Sequence, residues 1–325
     1  MKKTFVWIFG VLWFISLTVI VAGIYRFNFT NDDIYIETSS GEIMQYDTAI
    51  EHTIFTSFYP LYFLTKGLVG DTYDVENLVP TGGEWHEYEP SLKQIQDMMN
   101  AHFVVMNGLG MEHYEEKLSG ELEKNKVGFV HLSEKLTDVI TTEEYEEENH
   151  EDGHGHGSVD PHTWLSPKMM VELATFLSTE LKINETAGAK NFIAELNALD
   201  TKFADTLKLC KRKELVTSHE AFAYLARDYG LVQVAVAGIE PDMEPSAADI
   251  ARVIEVIKDK KVTTIFTEPL VSAKFSDTIS RETGVKNAEL HPLETLTPEE
   301  ENAGESYISI MEKNLAKIAE GLDCK

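Results

Sequence analysis

The chain has 325 residues, 43% of them hydrophobic and 26% charged, an ordinary globular composition with room for two domains. A formal net charge of −27 leaves no basic face for nucleic acid and suits a soluble protein working outside a cell. The two cysteines, Cys210 and Cys324, are too few and too far apart for a zinc ribbon or a disulfide framework, and spacing does not say whether they pair.

Lys2 and Lys3 precede an uncharged run from Phe5 to Tyr25 that Arg26 ends. Such a run can cross a bilayer as a helix, with its lysine-bearing start in the cytoplasm. A cleavable signal usually carries only roughly 7–15 apolar residues, so a retained anchor (residues 1–27) is preferred over a cleaved signal. No cysteine follows the run, which argues against a lipoprotein anchor. Either way the remainder is exported, to the outer face of the cytoplasmic membrane or beyond it. Residues 28–51 are polar without clear periodicity and read as a spacer.

From His52 short apolar runs alternate with amphipathic stretches. Thr53–Phe58 reads as a strand, Pro60–Val69 as a helix and Val75–Val79 as a second strand. After the loop Pro80–Pro90, Leu92, Ile95 and Met99 recur at helical spacing. Phe103–Asn107 and Val127–Leu132 read as strands separated by a helix. A charged, glycine-rich break follows at 141–158. Ser166-Pro167 then opens a helix, serine as cap and proline in the first turn. In Glu185–Leu209, Phe192, Leu196, Leu199, Phe203 and Leu207 share one stripe of a long helix. The alternation resumes with strand Glu214–Thr217, helix Ala221–Tyr229 and strand Val232–Ala237. Ser246 and Asp249 form a capping-box pattern ahead of a helix to Lys258. Strands Thr263–Thr267 and Ala288–Leu290 and a helix from about Gly304 to Gly321 complete the chain. The pattern predicts an α/β protein of two lobes, 52–184 and 210–325. Each has a mostly parallel sheet flanked by helices, and the rigid helix 185–209 bridges them.

Four of the 11 histidines, His86, His162, His219 and His291, fall at or just after strand ends or in the connecting loops. Ligands of open α/β sheets bind beyond the carboxyl ends of the strands. Two imidazoles from each lobe would meet in a cleft, and Glu294 lies three residues beyond His291. Imidazoles with a carboxylate or a further imidazole suit tetrahedral Zn²⁺.

Several strings resemble the zinc/manganese solute-binding proteins of ABC importers. In the first lobe they are Phe55–Pro60, Gly83–Ser91, Val105–Glu112 and Asp160–Pro167; in the second, Ser218–Leu225, Met243–Ser246 and Phe266–Lys274. The resemblance runs in order from about residue 52 to 320. It implies a metal receptor with a helical backbone, acting as a monomer with a membrane permease and an ATPase, and catalysing no reaction. It also implies that His86, His162 and His219 bind the metal. For the fourth ligand His291 ranks slightly ahead of Glu294, with water as a further possibility, and Glu84, displaced from the family's first-loop acid, is a poor choice. Manganese relatives use two histidines and two carboxylates, so His219 in place of an acid argues for zinc, in line with ligand softness. A manganese or iron receptor of the same fold and a zinc-binding adhesin or storage protein are the alternatives.

The loop Glu143–Gly157 carries His150, His154 and His156 among acids and cannot build a core. It reads as an auxiliary, loose zinc-capturing element. His150-Glu151-Asp152-Gly153-His154 matches the zinc-protease pattern formally, but that chemistry needs a helix, which glycines at 153, 155 and 157 disfavour. Trp85 and Trp164 read equally as cleft walls or as core. Glu268, at a strand end, is positioned to orient a ligand histidine through its second nitrogen. Glu89 and Ser91 read as helix caps.

Overall fold

The computed structural model describes residues 27–30, 33–37, 43–47, 52–86, 88–141, 159–239, 244–269 and 272–325. The anchor or signal segment through residue 26 and the histidine-bearing loop 142–158 lie outside the described residues. Among those described, no helix is long and apolar enough to cross a membrane.

The described residues before position 49 form one unit. The stretch expected to be a featureless spacer instead carries three strands, β1 (Phe27–Thr30), β2 (Asp33–Glu37) and β3 (Ile43–Asp47). They pair antiparallel in the order β1-β2-β3, with Thr30 opposite Asp33 and Tyr35 opposite Gln45. Phe27 and Phe29 alternate with polar residues, but Ile34-Tyr35-Ile36 and Ile43-Met44 run together, so these short β-prone stretches show no sustained period.

Residues 50–325 form the second unit and hold two four-stranded parallel sheets. The first contains β4 (Thr53–Thr56), β5 (Asp74–Asn77), β6 (Phe103–Met106) and β7 (Gly128–His131), ordered β5-β4-β6-β7. The second contains β8 (Glu214–Thr217), β9 (Val232–Ala235), β10 (Thr264–Thr267) and β11 (Lys286–Glu289), ordered β11-β10-β8-β9. Counted in chain order the two sheets are the same: the second strand flanks the first, and the third and fourth lie on its other side. Each therefore has a switch point between its first and third strands, where the connections depart to opposite sides and leave a crevice.

The helices between these strands are α1 (Tyr59–Val69), α2 (Leu92–Met98), α3 (Glu115–Lys124) and α4 (Pro167–Glu180). They continue with α5 (Ala187–Leu207), α6 (Ala223–Asp228), α7 (Ala247–Lys260), α8 (Lys274–Thr283), α9 (Pro298–Asn302) and α10 (Tyr307–Gly321). The caps foreseen at Ser166 and at Ser246 with Asp249 are both formed. The final helix starts slightly later than expected: a capping box at Ser306 and Ser309 opens α10, after a separate short α9 with a capping box of its own. In α2 the expected stripe is wrong in one place, because Leu92 is 87% exposed and Met98 is buried instead.

The long helix α5 buries Phe192, Leu196, Leu199, Phe203 and Leu207, the stripe read from sequence. It packs on α1, α4 and α10. Close approach to α1 needs Gly67, since a Cβ there would sit 2.3 Å from the Phe192 ring. One apolar cluster runs through both lobes, from Ile54 and Val105 against the first sheet, across α5, to Leu215 and Phe266 in the second. Cys210, just past α5, is joined by a disulfide to Cys324 at the chain's end.

Candidate metal centre

His86, His162, His219 and Glu294 converge at the carboxyl ends of the two sheets. Glu294 Oε1 lies 3.5 Å from His86 Nε2, 3.9 Å from His162 Nε2 and 4.0 Å from His219 Nε2. For an ion held tetrahedrally at 2.0–2.1 Å, neighbouring ligand atoms stand roughly 3.3 Å apart; ligand atoms of His86, His162 and Glu294 lie within 4.8 Å of one another, and His219 stands farther out and must draw in to complete the set. His162 Nε2 and His219 Nε2 are buried without a hydrogen-bond partner. Buried polar atoms left so are costly unless something else satisfies them.

The local chain explains why the nitrogens face inward. His162 follows Asp160-Pro161, and Asp160 Oδ1 accepts both its backbone N–H at 2.9 Å and, from Nδ1, its ring at 2.8 Å. Asp160 is itself 1% exposed, and its carbonyl accepts the Tyr224 hydroxyl at 2.6 Å. In the second lobe, His219 Nδ1 lies 2.5 Å from Glu268 Oε1, to which the Ser218 hydroxyl also donates. Ser218 follows β8 and Glu268 follows β10, so this contact sits at the switch point of that sheet. Each carboxylate fixes Nδ1 as the protonated nitrogen and leaves Nε2 with its lone pair for a cation.

Charge follows the same geometry. Burial pushes the His219 ring toward its neutral form, but the Glu268 bond and charge, with Glu294, outweigh this and raise its pKa. Burial likewise pushes Glu294 up, yet its bond with His86 and the fields of His86, His219 and His162 hold it below the ordinary carboxylate value. The cluster is thus built for an anionic oxygen among three imidazoles.

The floor is aromatic. Phe58 stacks on Trp85 at 4.5 Å and meets Trp164 edge-on at 4.7 Å. Trp85 and Trp164 are 5% and 1% exposed, so they belong to the core and at the same time back His86 and His162. Trp164 Nε1 donates to the Pro292 carbonyl at 2.8 Å, tying the first lobe to the loop that carries Glu294. Beneath His162, Asn107 Nδ2 donates to the Pro161 carbonyl at 3.2 Å, and Ser133 binds both Asn107 Oδ1 and the Thr163 hydroxyl. Buried Glu112 accepts the backbone N–H groups of Asn107 and Gly108.

His291, ranked first from sequence as the fourth ligand, lies outside the cluster. Its Nδ1 accepts the Leu293 N–H at 2.8 Å, its Nε2 faces Glu300 Oε2 at 3.2 Å, and its backbone N–H donates to Asn314 at 3.0 Å. Leu293 adopts a left-handed φ of 60°, and this turn folds the His291 ring back while Glu294 reaches the cluster. Glu84 accepts the backbone N–H of His86 at 3.0 Å and so shapes that loop. Ser91 caps α2, whereas Glu89 is simply exposed. His150, His154 and His156 fall outside the described residues.

Sequence reading missed Asp160 and Glu300. For Asp160 the available signal was its place two residues before His162. For Glu300 it was the capping-box spacing from Thr297, which the structure forms at the start of α9.

A cavity of about 430 Å³ opens beside the cluster on the second-lobe side. His219, Glu268 and Glu294 contribute to its wall, with Glu84, Glu244 and Lys274.

The chain matches the family model described as zinc-uptake complex component A, periplasmic, over residues 54–321. It is 42% identical over 280 residues to the zinc-binding lipoprotein AdcA of Streptococcus pneumoniae, covering 83% of this chain but 56% of that protein. It is 36% identical over 278 residues to the high-affinity zinc uptake system protein ZnuA of Bacillus subtilis, covering 83% of this chain and 87% of the relative. Among solved structures, the Zn(II)-bound ZnuA-like domain of S. pneumoniae AdcA superposes with a TM-score of 0.69 at 39% identity, over 84% of this chain and 99% of that one. The laminin-binding protein Lmb of Streptococcus agalactiae, described as having adhesin and metal-transporting activity, gives a TM-score of 0.69 at 29% identity, over 83% and 99%.

Proposed function

The chain belongs to the zinc-uptake complex component A family, and we propose that it is the receptor that captures Zn²⁺ outside the cytoplasm for an ABC importer. The observation that carries this reading is the clustering of His86, His162 and Glu294, with His219 beside Glu294, at the carboxyl ends of the two sheets. Three imidazoles and one carboxylate are a closed tetrahedral set for a borderline-soft cation and a poor one for Mn²⁺, which prefers oxygen-rich surroundings. With all four positions filled by protein, no site remains for an activated water, so the cluster carries and does not catalyse.

Capture joins two ligands from each lobe, with Asp160 and Glu268 holding the rings of His162 and His219 in register. Because the hydrophobic core is continuous across the lobes, release to a permease proceeds through local movement at the cavity rim rather than wide hinge closure. The acidic loop with His150, His154 and His156 serves as a loose collector, and the N-terminal segment holds the receptor at the membrane as a monomer.

Zinc titration of the chain tests this directly. One tight ion per chain, lost in His219→Ala and retained when residues 143–157 are deleted, is the expected result. Tight zinc that survives His219→Ala and vanishes with the loop would overturn it. Adhesion is a second reading, favoured only by the laminin-binding neighbour. It predicts laminin capture that persists in the zinc-free His219→Ala variant.

A further inference from the structure

The cavity meets the metal cluster from one side. His219 and Glu294 form part of its wall, whereas His86 and His162 do not. Those two are closed in from behind by Trp85 and Trp164. Side-chain exposure is greatest at Glu294, 14%, against 6% for His86, 2% for His219 and none for His162. An ion can therefore approach along one face. At the outer wall the charges are Glu84, Glu244 and Lys274, with Lys274 Nζ 3.4 Å from Glu244 Oε1 and both side chains largely exposed.

We propose that this cavity is the passage through which the cation reaches and leaves the cluster, and that Lys274 is the charge that sets the rate of that passage. The inference rests on the cluster being the zinc site. Glu294 and His219 then engage the incoming ion first, and His162 and His86 complete its shell. Lys274 neutralises Glu244 at the rim and repels a dication still in transit, while a bound ion is held by the four ligands. Low-dielectric walls focus such charge effects, and salt screens them.

The test is stopped-flow Zn²⁺ association and chelator-driven dissociation on the full chain. Ser272→Trp and Pro245→Trp, both cavity-wall positions outside the ligand set, narrow the passage from two different segments. Each is expected to slow association and dissociation by the same severalfold factor, leaving Kd within about twofold, because a barrier on the path alters both directions alike. Lys274→Gln is expected to speed association severalfold at low ionic strength and to lose that gain at about 1 M salt. Folded bulky variants with unchanged rates in both directions would overturn the passage, and a Lys274→Gln gain that ignores salt would overturn its charge role. A wild-type chain that binds no zinc at the cluster would overturn the site reading itself, which the equilibrium titration detects separately.

Discussion

Replacing Glu268 by glutamine keeps the shape and one acceptor oxygen beside His219 and removes only the charge. The His219 Nδ1–Glu268 contact is 2.5 Å, and both side chains are 2% exposed, so water cannot compensate. A hydrogen bond to a charged partner contributes about 1.5–3 kcal/mol and a neutral one about 0.5–1.5 kcal/mol. The difference, about 1–1.5 kcal/mol, corresponds to roughly a tenfold loss of zinc affinity. Glu268→Ala, which also removes the acceptor, falls toward the hundredfold end of what lost outer partners cost. The loss should depend on pH with a definite sign. Glu268 stabilises a protonated His219 as well as a metal-bound one, which is why its pKa is raised. Protons thus compete harder in the wild type than in Glu268→Gln, so the affinity gap is full at pH 8 and narrows as pH falls through the His219 titration. Competition titrations with a zinc chelator from pH 8 to about pH 5.5 measure both quantities. A gap that stays constant over that range, or no loss at pH 8, would refute the argument that Glu268 acts through the charge on His219.

His291→Gln should retain one zinc per chain with little change in Kd, whereas Glu294→Gln should weaken binding by at least about tenfold; calorimetry on the pair distinguishes them, and equal losses would restore His291 to the site. Burial pushes the Glu300 carboxyl up, but hydrogen bonds from His291 and Thr297 outweigh it and hold the pKa at about 2. Its contribution to stability is therefore present above the ordinary carboxylate range and lost as pH falls toward 2, so thermal melts of wild type and Glu300→Gln should differ at pH 7 and converge in acid. The disulfide spans 114 residues, and the loop-entropy relation gives about 5 kcal/mol for a loop of that size. Urea midpoints of the Cys210→Ala/Cys324→Ala double variant should drop accordingly, and coincident midpoints would show that the crosslink constrains nothing in the unfolded chain.

Much of this architecture is legible in the sequence because it is periodic. The stripe from Phe192 to Leu207 and the apolar central strands β4, β6, β8 and β10 announce themselves, whereas the edge strands β5 and β11 are mostly polar. Helix α8 does not: Lys274–Thr283 is mostly polar, and among its buried residues only Ile279 is a large apolar one, too thin a signal to separate from a loop. At the site, placement after strand ends singled out His86, His162, His219 and His291 together, and only the resemblance to the solute-binding family picked His86, His162 and His219 from among them. The choice between His291 and Glu294 could not be made that way. It depends on a left-handed turn at Leu293 and on Glu300 and Asn314 taking up the His291 ring and backbone, contacts that exist only once α9 and α10 have packed. Asp160 was overlooked for the opposite reason: its contact with His162 is local, but nothing in a single sequence distinguishes it from the many other acids of this chain.

The unbroken apolar cluster from Ile54 to Leu322 means that neither lobe is a separable module. Cutting the chain at α5 would strand Phe192, Leu196 and Phe203 in water on one fragment and leave their partners bare on the other. Such halves are poor candidates for exchange between relatives or for independent expression. Change is better tolerated where this core does not reach, in the exposed rim residues Glu84, Glu244 and Lys274, so the mouth of the cavity can vary while the cluster behind it stays as it is.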